Sequence, residues 1–289
     1  MSALATASSC PFDGTNSAIF SRADFDAIAE IVYSESGNVY PEGKAMLVYS
    51  RLTKRLRVSR TTSFAEYIRL VAKDAEERRI MVNLLTTNHT YFYREEHHYD
   101  HFIKTMRPAL IDKAMRGEPV RIWSAGCSSG EEVYALGMAF LGESRSEGVR
   151  IANKDIRFLA SDLDDHSIEM ARAATYSKSA ITPVPANLRN HWTKDNGDAV
   201  VIAPVIQNLI RFRSLNLLHQ WPFNGLFDAI FCRNVMIYFD TPTKEQLLLR
   251  FAQQLAPSGY LYIGHSERLS GPAEDYLTAV GKTIYQRTA

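Results

Sequence analysis

The chain has 289 residues, enough for one large domain and a smaller companion. Lys plus Arg number 33 against 32 for Asp plus Glu, and a net charge of +1 argues against the broadly basic surface of a general nucleic-acid binder. Three scattered cysteines, Cys10, Cys127 and Cys232, exclude a disulfide framework, and the chain has no apolar run long enough to span a membrane, so reduced thiols in a cytoplasmic protein are expected.

Residues 1–18, rich in Ser and Ala and without the basic start and apolar core of a signal peptide, are expected to form a disordered tail. From 19 to 85 the periodicity is helical and predicts a small all-helical domain. Ser21 caps a first helix carrying Phe25, Ile28, Ala29 and Val32 and ending near Gly37. A second helix, over 42–58, places Met46, Leu47, Leu52 and Leu56 on its apolar stripe. Its other face carries Lys44, Arg51, Lys54, Arg55 and Arg57, with Arg60 just beyond and no acidic residue among them. Thr62-Ser63 opens a third helix with Phe64, Tyr67, Ile68 and Val71, and a fourth runs from about Asp74 to Leu85. Less regular helical patterning continues from His97 to Met115.

The remainder, 86–289, reads as an α/β domain. Val120 to Trp123 is a buried strand, Gly126 and Gly130 bracket a tight turn, and Val133, Leu136, Gly137 and Phe140 follow at helical spacing. Strand, glycine turn and helix open a nucleotide-type fold. The spacing is not that of the dinucleotide fingerprint, and Glu131 and Glu132 stand where a diphosphate needs bare amides. They suit a ligand with a cationic end. A turn that merely packs helix against strand remains an alternative on this stretch alone. Ile156 to Ala160 forms a second strand ending on Ser161-Asp162, with a short helix over 165–174. Between about 177 and 208, three prolines and an Asn196-Gly197 turn flanked by His191-Trp192-Thr193 and Ala199 to Ile202 predict an inserted antiparallel hairpin with a third short strand. Strands at Leu209 to Leu215 and from Phe227, a helix over 243–255, a strand from Tyr260, and a closing hairpin turning at Gly281-Lys282 complete the pattern. The sheet should be mostly parallel with a reversed last strand.

Ligands of such sheets lie beyond the carboxyl ends of the strands. That rule selects Gly126 to Glu132, Asp162, Asn216 and Arg233-Asn234. A carboxylate at the second tip accepts both hydroxyls of a ribose, and an asparagine amide reads an adenine edge or an amino-acid moiety. Each also has a plainer reading: Asp162 as a helix cap, Asn234 as the end of a turn. His97, His98 and His101 have no acidic or cysteine partner at a metal-binding spacing, so no metal is expected. Cys232 lies within an apolar strand and reads as a buried hydrophobe.

Four segments carry a family likeness. They are Leu85-Thr-Thr-Asn-His-Thr-Tyr-Phe-Tyr-Arg-Glu, Trp123-Ser-Ala-Gly-Cys-Ser-Ser-Gly-Glu-Glu-Val-Tyr, Ala160-Ser-Asp-Leu-Asp and Phe227-Asp-Ala-Ile-Phe-Cys-Arg-Asn-Val-Met-Ile-Tyr-Phe. From about residue 20 onward the chain resembles the chemotaxis receptor methyltransferases, the CheR family of S-adenosylmethionine-dependent protein-glutamate O-methyltransferases. The resemblance implies an all-helical N-terminal domain and a Rossmann-like class I methyltransferase sheet, mostly parallel with its last strand antiparallel, carrying a small antiparallel β-insert. It also implies cofactor contacts at Asn88, Thr90, Arg94, Glu132, Asp162, Asn216, Leu217, Arg233 and Asn234, with Asp162 on the ribose and Asn216-Leu217 near the adenine. Arg94 and Tyr238 are the candidates to orient the acceptor carboxylate, Arg94 with a possible share in the cofactor. The implied product is S-adenosylhomocysteine. The implied partners are cytoplasmic helices of chemoreceptors, met by a monomer; the one-signed charge of Arg51, Lys54, Arg55 and Arg57 makes theirs the expected docking face, a solvated face being the plainer reading. Val133 stands where family members commonly have proline, with little expected consequence. The hairpin at Asn196-Gly197 looks shorter than in relatives that grip a receptor's C-terminal pentapeptide, so no such tethering is expected. A nucleic-acid methyltransferase is disfavoured because Arg233-Asn234-Val235-Met236 replaces an Asn/Asp-Pro-Pro-aromatic motif. A cofactor sensor without turnover is disfavoured by an intact Arg94 and Tyr238.

Overall fold

The structure is a computed structural model and describes residues 12–288. The chain forms two compact units, one ending at Thr87 and one beginning at Asn88.

The first unit contains α1 (Arg22–Ser36), α2 (Ala45–Ser59), α3 (Phe64–Lys73) and α4 (Ala75–Leu85). Three of its four helix starts follow from capping chemistry. The Ser21 hydroxyl accepts the Asp24 amide while the Asp24 carboxylate accepts the Ser21 amide, and Ser63 and Asp74 cap α3 and α4. Phe25, Ile28, Val32, Val48, Leu52, Phe64, Tyr67 and Met81 close the core. Residues 1–11 of the expected disordered tail lie outside the described residues. From Phe12 the chain runs in turns, with the Phe12 ring centroid 5.8 Å from that of Phe20.

The basic face expected on the second helix is divided. Arg55 turns inward, with Nε and Nη2 each 2.5 Å from an oxygen of buried Glu77, whose Oε1 also accepts the Tyr67 hydroxyl at 2.8 Å. Arg51 folds over the end of α4 and donates to the carbonyls of Leu85 (2.8 Å) and Thr86 (2.9 Å). The last carbonyls of a helix lack intrahelical partners, so a guanidinium is well used there. Of the four residues expected on that face, Lys54 and Arg57 are exposed.

The second unit opens with α5 (Glu96–His101), a π-helical stretch (Phe102–Met106) and α6 (Arg107–Met115). Then follow β1 (Val120–Ala125), α7 (Glu131–Leu141), α8 (Arg145–Ala152), β2 (Ile156–Asp162) and α9 (Asp165–Ala173). The insert holds β3 (Thr175–Ser177), α10 (Ala186–Trp192), β4 (Thr193–Asn196), β5 (Ala199–Ile202) and α11 (Pro204–Gln207). The chain ends through β6 (Ile210–Ser214), β7 (Phe227–Cys232), α12 (Thr241–Gln254), β8 (Leu255–Ile263), β9 (Leu277–Gly281) and β10 (Ile284–Arg287). The main sheet has the order β6-β2-β1-β7-β8-β10-β9. Neighbours from β6 to β8 are parallel, and β10 enters antiparallel between β8 and β9. A parallel sheet is covered on both faces, which explains why every residue of β7 is buried. α7 is buried all round from Val133 to Leu141 rather than along one stripe, because α8, α10 and α11 pack against it as well as β2.

The insert is a three-stranded sheet of order β3-β5-β4. Its hairpin turns one residue later than expected: Asn196 pairs with Ala199, leaving Gly197-Asp198 as the turn, and of the Asn-Gly pair only Gly197 has positive φ. His191 and Trp192 end α10 instead of starting the strand, and the buried Trp192 indole donates to the Gly142 carbonyl at 2.6 Å. The closing hairpin is shifted likewise, with Lys282-Thr283 as its turn. Among the described residues no helix is long and apolar enough to cross a membrane.

Candidate active site

Register brings the strand tips together. Ala125 pairs with Ser161, Asp162 with Ser214, and Cys232 with Ile263, so the loops after β1, β2, β6, β7 and β8 leave one edge of the sheet. The β1 turn starts at Gly126, at φ 80, where a Cβ would collide with a methyl of Val235. It is strapped across β2: the Gly126 and Cys127 amides donate to the Ser161 carbonyl, and the Ser128 amide donates to Asp162 Oδ2 at 2.7 Å. Asp162 Oδ1 accepts the Asp164 amide at 3.0 Å. Burial pushes the Asp162 carboxyl up, and these amides draw it back.

Asn88 joins the same cluster. Its amide donates to Asp164 Oδ2 (2.9 Å) and Ser167 Oγ (3.0 Å), and its carbonyl accepts the Ser128 hydroxyl (2.9 Å). Thr90 is half-buried on the loop that follows. Arg94, at the far end of that loop, donates to the His89 carbonyl (3.1 Å) and lies 5.6 Å from the centroid of the Tyr91 ring.

A second cluster forms around the β7 tip. Buried Arg233 donates through Nη1 to Glu132 Oε2 (2.9 Å), through Nε to Glu95 Oε2 (3.4 Å), and through Nη2 to the Arg94 carbonyl. The other Glu132 oxygen accepts the Ser124 hydroxyl at 2.7 Å. Glu95 Oε1 accepts the amide and the ring Nδ1 of His265 (3.0 and 2.9 Å), with the Asn234 amide group at 3.5 Å. Burial alone would raise the Glu95 carboxyl, but Arg233 and His265 outweigh it and hold it at about 2. Glu132 and Arg233, read from the sequence as cofactor contacts, are thus each other's main partners.

The β6 tip is tied to β2 by the Leu215 amide on the Asp162 carbonyl (2.9 Å). Beyond it, Asn216 Oδ1 accepts the Leu218 amide (2.9 Å). Leu217 is buried, and its carbonyl accepts Trp221 Nε1 and Arg250 Nη1 at 3.1 and 2.7 Å. Tyr238, half-buried, ends the short turn Met236–Tyr238 that follows Asn234.

Glu95, His265 and Glu267 were not singled out by the sequence reading. Gly264-His265-Ser266-Glu267 follows the β8 tip, so the strand-tip rule could have found the last two. The three histidines serve the closing strands: His97 meets the Lys282 carbonyl, His98 Thr283 Oγ1, and His101 the Tyr262 hydroxyl. Cys127 and Cys232 are buried, and burial pushes both thiols up.

The donor set restricts the ligand. The Ser128 and Asp164 amides each meet one Asp162 oxygen and the Leu163 amide faces the same carboxylate, an acceptor-only group whose remaining capacity suits the hydroxyls of a vicinal diol. The start of α7 presents Glu131 and Glu132 rather than bare amides, which suits a cationic group better than a diphosphate. A seven-stranded sheet with its last strand reversed between two others, a glycine turn after β1 and a carboxylate at the β2 tip define the class of S-adenosylmethionine-binding methyltransferases.

Comparison with known proteins narrows the class. Residues 88–286 match the family described as CheR methyltransferase, SAM binding domain, and residues 23–86 match CheR methyltransferase, all-alpha domain. The chain is 42% identical over 264 residues to a probable chemotaxis protein methyltransferase of Rhizobium etli, covering 89% of this chain and 97% of that one. It is 37% identical to chemotaxis protein methyltransferase 2 of Pseudomonas aeruginosa (98% and 99% covered) and 37% identical to the chemotaxis protein methyltransferase of Escherichia coli (92% and 91%). The chain belongs to the CheR methyltransferase family. It is an S-adenosylmethionine-dependent methyltransferase of chemotaxis.

Proposed function

We propose that the protein, a cytoplasmic enzyme, methylates glutamate side chains on the cytoplasmic helices of chemoreceptors, giving glutamate methyl esters. The observation that carries this reading is the match of residues 88–286 to a chemotaxis methyltransferase family, and transfer to a carboxylate needs no proton chemistry from the site. A glutamate carboxylate ionises at about 4.3 and is already a nucleophile at neutral pH, so catalysis reduces to positioning and exclusion of water. The charged groups around the β7 tip are bonded to one another, as expected of a scaffold rather than of a general base. When bound, the cofactor supplies a methyl group on a cationic sulfur. In this reading Asp162 accepts the ribose hydroxyls, Asn88, Thr90, Asn216, Leu217 and Asn234 border the adenosine and amino-acid parts, and Glu132 and Arg233 hold the floor. Arg94 and Tyr238 orient the acceptor carboxylate.

For the partner, Lys54 and Arg57 support docking on acidic receptor helices, since both are exposed. The edge strands of the insert, β3 of three residues and β4 of four, offer little edge for strand addition, which favours a receptor contact without capture of a C-terminal pentapeptide.

The test is incubation with methyl-labelled S-adenosylmethionine and receptor-rich membranes, with nucleic acid as a parallel acceptor. Base-labile label on receptor protein is expected. Label in nucleic acid, or cofactor binding with no transfer to receptor, would overturn the proposal.

A further inference from the structure

We propose that Glu267 is a positioning residue for methyl transfer, fixing the backbone of the turn that carries Asn234 and Tyr238. The inference rests on the roles proposed above for those two residues. Glu267 lies on the loop after β8 and is 6% exposed. Its Oε2 accepts the amides of Gly264 (2.5 Å) and Asn234 (3.2 Å), and the amides of Met236 and Ile237 face the same carboxylate. Among the described residues no lysine, arginine or histidine pairs with it, and Oε1 is buried without a hydrogen-bond partner. A desolvated carboxyl with unused acceptor capacity is a costly group to bury. What an apolar side chain lacks is a grip on backbone amides.

The turn it grips is closely fitted. Asn234 is left-handed, at φ 61, a conformation that asparagine adopts more readily than other residues with a Cβ but less readily than glycine. It fits against β8 because residue 264 is glycine: a Cβ there would fall 2.5 Å from Asn234 Nδ2 and 2.7 Å from its amide nitrogen. On the other side Val235 rests on Gly126 of the β1 turn. The carboxylate of Glu267 therefore holds a left-handed residue in the one place where β8 and the glycine turn both admit it. Without that hold Asn234 relaxes towards a right-handed or extended backbone, and Tyr238, four residues on, moves with it.

Glu267→Gln, Glu267→Asp and Glu267→Ala separate positioning from folding. Each is measured for melting temperature, for S-adenosylhomocysteine affinity by calorimetry, and for methyl transfer to receptor-rich membranes, with kcat counted per titrated site. Glutamine keeps the length and the oxygen that holds the Gly264 and Asn234 amides but turns an amide group towards those of Met236 and Ile237, so it should lose clearly less than aspartate. Aspartate withdraws the carboxylate by one methylene, and alanine removes it. Both should lose kcat by ~100-fold, the scale of an ångström's displacement, with KM for receptor little changed. Both should also bind S-adenosylhomocysteine ~10-fold more weakly, the worth of about one hydrogen bond, because Asn234 shifts as well. Wild-type kcat and affinity per site in the aspartate variant, or losses that follow melting temperature and vanish at a lower assay temperature, would overturn the proposal. Should the alanine variant not fold, the aspartate–glutamine contrast decides. A wild-type protein inactive on receptor would refute the substrate assignment, while the affinity contrast, which uses no receptor, still tests Glu267.

Discussion

Arg233 Nη1 lies 2.9 Å from Glu132 Oε2, and the same guanidinium reaches Glu95, so one buried cation serves two largely buried carboxylates. The β7 tip, the first turn of α7 and the start of α5 meet at that charge. Removing one member of a buried ion pair leaves its partners uncompensated, which typically costs about 3–5 kcal/mol. Arg233→Ala should therefore lower stability by about that amount in urea denaturation. Unchanged stability with lost cofactor affinity would make Arg233 a ligand contact instead of a keystone.

His98 makes the fold acid-sensitive. It is 0% exposed, and burial first, then Arg233 and His97 beside it, depress its ring to about 3, although Glu95 acts in the opposite sense. An unfolded histidine titrates near about 6.5, so below that pH the unfolded chain binds a proton that the folded chain refuses. This contribution weakens stability as pH falls from about 6.5 towards 3, by at most about 1.4 kcal/mol per pH unit. His98→Gln, which can still meet Thr283, should show a flatter dependence between pH 6.5 and 5 than wild type. Parallel curves for the two proteins would mean that the ring is charged in the folded state.

Asp162→Ala should weaken S-adenosylhomocysteine binding by about 2–4 kcal/mol, the worth of two charge-assisted hydrogen bonds. The structure adds a second effect. Asp162 also accepts the Ser128 and Asp164 amides, so the alanine variant loosens the glycine turn, whereas Asp162→Asn keeps one acceptor oxygen and should lose less. Calorimetric titration of both variants checks this, and wild-type affinity in the alanine variant would remove Asp162 from the site.

Tyr238→Phe should lower turnover far more than cofactor affinity. The ring packs with the cluster of Trp123 and Phe251, and the change preserves that packing, so melting temperature should barely move. Methylation of receptor at the wild-type rate would take the acceptor role away from this hydroxyl.

Much of this architecture is legible because its signals are local. Ser21, Ser63 and Asp74 announce helix starts through their own side chains, and the glycine turn after Trp123 is marked within one stretch. What escaped the sequence reading depends on distant partners. α8 buries little beyond Gly148 and Ile151, too little for an apolar stripe to show. Glu95 gains its role from Arg233 and His265, more than a hundred residues away, and no spacing rule announces such a pairing. Both hairpins turned one residue late because pairing across the strands, not the dipeptide alone, sets the turn. Arg55 looked like a surface charge because helical periodicity gives a face and says nothing of a carboxylate arriving from α4.

That division of the basic face decides which of its charges can be reversed without unfolding the helical unit. Glu77 is largely buried beneath Arg55, and Tyr67 donates to it as well, so Arg55→Glu would set two buried carboxylates against each other and should unfold the helical unit. Lys54 and Arg57 carry no such burden and are exposed on α2. Exposed charges act mainly on the rate of encounter and are screened over about 8 Å at physiological salt. The double variant Lys54→Glu, Arg57→Glu should therefore keep the wild-type melting temperature and S-adenosylhomocysteine affinity while raising KM for receptor several-fold. The difference should shrink as salt is added, since the wild-type advantage is electrostatic. Methylation kinetics indifferent to both the reversal and the salt would show that this face is merely solvated and that receptor docking lies elsewhere on the protein.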